Sequence, residues 1–116
     1  MVVIEDHSQT KDEAFDRIMR WVSRTYNSAQ TVVQREDRES GNIVINASTT
    51  FRRNIVTFPI RYNLTIDVRD DRIRFTSYVG ESEAMGVSKG EVQQVNDELA
   101  VLRLAIMAAV EEDDDF

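Results

Sequence analysis

From Val56 to Val68 the chain alternates without a miss. Val56, Phe58, Ile60, Tyr62, Leu64, Ile66 and Val68 are apolar, and Thr57, Pro59, Arg61, Asn63, Thr65 and Asp67 fall between them. Side chains of a strand point to opposite faces with a period of two, so this run predicts one long strand with one dry face. Ile73, Phe75, Ser77 and Val79 carry the alternation into the next strand. Before the long strand, Ile43, Ile45, Ala47, Thr49 and Phe51 line one face of another, with Val44, Asn46, Ser48 and Thr50 on the other. Val32 and Val33 open an earlier strand. The polar stretch Glu36–Asn42 separates the first two, with Gly41 able to take the positive φ a tight connection needs. Arg69-Asp-Asp-Arg72 makes a later turn, so Val32 to Val79 reads as an antiparallel meander. Pro59 has no N–H for the ladder and predicts a local irregularity in the long strand.

Two segments change period. Thr10-Lys-Asp-Glu13 has capping-box spacing, and a helix is expected from Lys11 to about Asn27. Phe15, Ile18, Met19, Val22 and Tyr26 share one stripe, with Ala14 and Trp21 beside it. Before it, the β-branched Val2, Val3 and Ile4 suit a short strand. Ser88-Lys-Gly-Glu91 repeats the capping spacing and starts a second helix that reaches about Val110. Val92, Val95, Leu99, Leu102 and Ile106 form its core stripe. From Leu99 to Val110, however, only Arg103 is charged, and Val101, Leu104, Met107 and Ala108 lie off that stripe. A helix apolar nearly all round meets apolar surface on more than one side, which makes these four the candidate interface.

The elements order as strand, helix, four-stranded meander, helix: an α+β chain of type βαββββα. At 116 residues, 41% of them hydrophobic, one core is what the chain can build. The expected division is a single domain over 1–110 and a flexible acidic tail over 111–116. The formal charge is -7, but Glu111, Glu112, Asp113, Asp114 and Asp115 supply five of those charges and leave -2 for the rest. Cysteine is absent, which excludes disulfides and thiolate metal sites. No apolar run is long enough to span a bilayer, and the sequence as it stands begins with no signal-peptide pattern.

Candidate chemistry is sparse. His7 is the only histidine, and with no second one it reads as an exposed side chain rather than a ligand or a base. Asp67, Asp70 and Asp71 lie among Arg69, Arg72 and Arg74 and lack calcium-loop spacing, so they read as turn chemistry. Arg17, Arg20 and Arg24 share a helical face, with Glu13 and Asp16 four residues before the first two, which predicts solvated surface pairs. No nucleophile elbow is present, and no enzyme, metal or cofactor is expected. The outer sheet face offers Arg61, Arg69, Arg72, Arg74 and Tyr78, but also Asp67, Asn46, Ser48 and Thr50. On an acidic chain that mixture does not predict nucleic-acid binding. Asn46-Ala-Ser48 and Asn63-Leu-Thr65 match glycosylation triplets but fall inside strands.

The element order, Lys11-Asp-Glu-Ala-Phe-Asp-Arg-Ile-Met-Arg-Trp21, the turn ending Gly41-Asn-Ile43, and the hairpin from Tyr62 to Phe75 together resemble a bacterial family of unknown function with a TATA-binding-protein-like (TBP-like) fold. That resemblance covers residues 2 to 110 and implies a curved antiparallel sheet with both helices packed on one face. It also implies an envelope or secreted location, and it brings no catalytic residues. Two functions are carried forward: a non-catalytic module that docks a protein partner or forms a homodimer, and a carrier of a small apolar ligand held between sheet and helices. Met19, Met85 and Met107 would suit the lining of such a carrier.

Overall fold

The computed structural model describes residues 2–26, 32–53, 56–79 and 89–112, with the side chains of 49–53, 56–58 and 89–92 outside that description. The elements are β1 (Val2–Asp6), α1 (Lys11–Thr25), β2 (Val33–Asp37), β3 (Asn42–Arg53), β4 (Val56–Arg69), β5 (Arg72–Val79) and α2 (Lys89–Val110). The strands form one sheet in the order β1-β5-β4-β3-β2, antiparallel throughout. The expected meander is therefore present, and β1 adds a fifth strand on the free edge of β5.

The long alternation works as its period requires. Ile60, Tyr62, Leu64, Ile66 and Val68 are buried, whereas Pro59, Arg61 and Arg69 are exposed. Each fully buried Ile or Val contributes about 1.5–3 kcal/mol relative to an exposed one, so a one-residue slip of β4 would forfeit the whole set at once. At Pro59 the register is regular, with Thr50 opposite Pro59 and no shift along β3 and β4. The expected irregularity falls in β2 instead, between Val33 and Arg35. Among the described residues β5 accompanies β4 only as far as Tyr62, so at Pro59 one side of β4 has no strand that needs its N–H.

Thr10 caps α1 by accepting from the Glu13 N–H at 3.2 Å. The helix stops at Thr25 because Tyr26 turns extended. The start of α2 at Ser88 lies outside the described residues. Ala14, Phe15, Ile18 and Val22 of α1 and Ile106 and Val110 of α2 close the main core over Ile43, Ile45, Leu64, Ile66, Val68, Ile73 and Phe75. A second, smaller cluster joins Val95 and Leu99 of α2 to Ile60 and Tyr62. Thus α2 bridges both clusters. Arg103 turns back toward β1, its Nε 3.5 Å from Glu5 Oε1.

The two turns differ in how they bend. Gly41 has φ +75°, and a Cβ there would stand 2.2 Å from the Val68 carbonyl oxygen. That proximity is the pairing itself, since the Val68 N–H donates to Gly41 O at 2.8 Å. At the other turn the left-handed conformation falls on Asp71, at φ 65°, where a short polar side chain is tolerated.

Candidate functional site

Several sequence expectations change once the layers are assembled. His7 is buried rather than exposed. Its Nε2 lies 2.8 Å from Arg69 O, and its Nδ1 accepts from the Gln9 N–H at 3.0 Å. Nδ1 must therefore be the bare nitrogen, which makes Nε2 the donor. The ring ties the β1–α1 connection to the β4–β5 turn, aided by the His7 N–H donating to Asp71 O. It is a structural clasp, and its polar atoms are consumed.

Arg17 is the second correction. Instead of lying on a solvated face it is 9% exposed and donates to the Val110 carbonyl at 2.7 Å, to the Glu112 carbonyl, and to Glu13 Oε1 at 3.1 Å. Those carbonyls lie at and just beyond the end of α2, which has no basic residue in its own last turn. A guanidinium from α1 thus supplies the positive charge that the helix dipole favours there. The sequence carried a trace of this: Arg17 stands three residues after Ala14 and beside Ile18, on the flank of the buried stripe.

The third concerns pairing. Asp16 was expected to meet Arg20, but it accepts from Arg38 of the β2–β3 turn at 3.1 Å, and Arg38 also lies 3.8 Å from Asp12. Of the expected acidic tail, Glu111 and Glu112 are held to the body. The Glu111 carboxylate accepts from the Ser8 N–H at 2.7 Å and the Ser8 hydroxyl at 2.6 Å, and these bonds hold it below the usual glutamate range. Residues 113–116 lie outside the described residues.

Asp67, Asp70 and Asp71 do not converge. Asp67 accepts from Asn42 and Arg74, Asp70 accepts from the Lys11 N–H, and Asp71 forms the turn. Among the described residues no three His, Asp or Glu side chains are placed to share a metal ion. Asn46 and Asn63, the two glycosylation-triplet asparagines, face each other across β3 and β4 and bond side chain to side chain at 2.8 Å.

The candidate interface residues on α2 divide. Val101 and Leu104 are 65% and 63% exposed, and Ala108 is exposed as well. Spacings of three and four residues put them in one line, opposite the face that buries Val95, Leu99, Ile106 and Val110. Met107 is half-buried against the main core, with Met19, so both act as packing and not as cavity lining. Met85 lies outside the described residues.

Along one flank of α2 lies an apolar cleft of about 350 Å³, walled by Tyr62, Val95, Leu99, Val101 and Leu102, with Ser48 and Glu98 at its polar side. The Tyr62 hydroxyl is 2.9 Å from that of Tyr26. Burial pushes both hydroxyls above the ordinary tyrosine value, and Tyr62 moves further because its bond with Tyr26 and the charge of Glu98 add to the effect. Both stay neutral well past physiological pH. The outer sheet face has its own shallow concavity, of about 180 Å³, formed by Ile4, Asp67, Arg69, Arg72 and Arg74.

A five-stranded, curved antiparallel sheet with two helices on a single face defines a TBP-like α+β protein. The chain belongs to the bacterial family described as "Domain of unknown function (DUF4468) with TBP-like fold", matched over residues 2–78. Among solved structures it is similar to a TBP-like protein from Parabacteroides distasonis, at 14% identity over 95% of this chain and 90% of that one, with a TM-score of 0.68. It is also similar to a DUF4468 family protein from Bacteroides ovatus, at 10% identity over 99% and 88% of the two chains and a TM-score of 0.60. Ara h 8.0201 matches at 9% identity over 95% of each chain, with a TM-score of 0.57. At these identities the likeness is one of fold. No match was found among curated proteins.

Proposed function

We propose that this protein is a non-catalytic interaction module that docks a protein partner on the outer face of α2. The observation that carries this reading is the line Val101, Leu104 and Ala108, exposed on the side of α2 turned away from its own core. Two large apolar side chains left about two-thirds exposed one turn apart gain by being covered, and full burial of each is worth about 1.5–3 kcal/mol. The polar groups that would serve catalysis elsewhere are committed here: His7, Asp67 and Arg17 each hold structural bonds.

A photo-crosslinking residue placed at Leu104 in the native cell tests the reading, with one at exposed Gln93 as the control. Protein adducts specific to position 104 are expected. Absence of such adducts would remove the reading.

A second reading has its own observation. The cleft of about 350 Å³ along the flank of α2, with a neutral Tyr62 hydroxyl in its wall, suits one small apolar ligand. Native mass spectrometry of freshly purified protein separates the two: a bound mass lost in Leu99→Trp, which fills the cleft, supports the carrier, and a bare chain removes it.

A further inference from the structure

Among the described residues the outer line of α2 and the outer face of the sheet differ in charge. From Gln93 to Glu112, the charged residues are Asp97, Glu98 and Arg103 in α2 and Glu111 and Glu112 just after it. Arg103 turns inward to Glu5, and the exposed apolar line has Asp97 at one end and Glu111, whose carboxylate accepts from Ser8, at the other. On the far side of the molecule, the outward residues of the sheet include Arg61, Arg69, Arg72 and Arg74. Asp67 pairs with Arg74 and accepts from Asn42, and Asp6 stands opposite Arg72 in the β1–β5 register, so four arginines against these two carboxylates leave the set net positive. Among these arginines lie exposed apolar side chains: Val2 at 59%, Ile4 at 57% and Tyr78 at 72%. Ile4, Asp67 and three arginines form the walls of the concavity of about 180 Å³.

Resting on the interaction reading above, we infer that the partner is a second copy of this chain. The outer line of α2 in one copy lies across the Arg-rich outer sheet face of the next. Charge decides between the possible pairings. Two α2 helices facing each other antiparallel about Leu104 would set Asp97 against Glu111 at both ends. Two sheet faces would set arginines against arginines. The crossed pairing alone puts carboxylates over guanidiniums while covering Val101 and Leu104 with Ile4 and Tyr78. Because the two surfaces lie on opposite sides of a two-layer body, each copy keeps one of them free. The contact is heterologous and propagates head to tail, giving an open chain or a closed ring rather than a two-fold dimer.

Sedimentation of the full chain over a concentration series tests this. In low salt the wild type should form species larger than a dimer. Raising NaCl from about 0.05 to about 0.5 M should weaken the association roughly tenfold or more, since exposed charge pairs are screened at that ionic strength. Leu104→Glu blocks the helix surface and Ile4→Glu the sheet surface. Both positions are exposed, and Val101→Glu and Tyr78→Asp serve as replacements if circular dichroism shows either variant misfolded. Each variant alone should be monomeric. Mixed in equal amounts they should form a dimer and nothing larger, because one intact surface of each kind remains.

If Ile4→Glu still dimerises by itself and the mixture adds nothing, α2 pairs with α2 and the inference is overturned. A wild-type chain that stays monomeric throughout overturns it too. In that case adducts to another protein at position 104 would leave the interaction reading standing. Monomeric protein that instead binds a DNA duplex through the arginine face, with loss in Arg72→Glu, would overturn it as well.

Discussion

Gly41 shows how far a single residue can be read without coordinates. A glycine in a polar stretch between alternating runs predicts a left-handed turn, and its φ of +75° agrees. The sequence does not reveal that the Val68 carbonyl oxygen stands 2.2 Å from where a Cβ would be, because β4 reaches the turn only after the meander closes. Both effects oppose a side chain. Gly41→Ala should therefore cost roughly 2 kcal/mol or more, combining left-handed strain with a displaced strand pairing. Chemical denaturation would show it as a lowered midpoint at unchanged slope. His7 and Arg17 mark the opposite limit. As isolated symbols both read as surface residues, and their partners lie 62 and 93 positions away. No local pattern reports contacts of that kind.

The second helix illustrates the same division one level up. Its period, its end at Val110 and its surplus of apolar residues are all visible in the chain. The acidic run after it predicts fraying, since negative charge at a helix C-terminus opposes the dipole. Fraying is countered from outside the helix, by Arg17 donating to the Val110 and Glu112 carbonyls and by Ser8 donating to Glu111. Arg17→Met keeps the volume and removes the donors. It should destabilise the protein by about 2 kcal/mol, as expected for losing buried hydrogen bonds from a charged group. Amide exchange should rise most in the last turn of α2, and Arg17→Lys should restore part of the loss. The tether at Glu111 is pH-dependent with a definite sign. Its pKa is lowered in the folded protein by the two bonds from Ser8, so its contribution is present above the ordinary glutamate value of about 4.3 and is lost as pH falls through the folded value. Ser8→Ala should be less stable than the wild type at neutral pH, and the two denaturation midpoints should converge in acid.

Two apolar clusters of unequal size, bridged by α2 and β4, make the protein uneven in local stability. The smaller one, around Ile60, Tyr62, Val95 and Leu99, should open at lower free energy than the main core. Native-state amide exchange should accordingly find Ile60 and Tyr62 less protected than Ile43 and Ile66. The distribution of charge belongs to the same level. A net charge of -7 says little of binding until the assembled sheet gathers Arg61, Arg69, Arg72 and Arg74 on its outer face and α2 carries Asp97 and Glu98 beside its apolar line. The element order, the dry side of β4, the Gly41 turn and the apolar excess of α2 all follow from short-range periodicity, which backbone geometry converts directly into faces. Placing β1 against β5, burying His7 and Arg17 among distant carbonyls, and gathering the arginines of β4 and β5 on one face required closure of the chain. Each of those depends on pairings between segments far apart in the chain, where a charge or a hydrogen bond acquires its partner from packing and not from its neighbours in sequence.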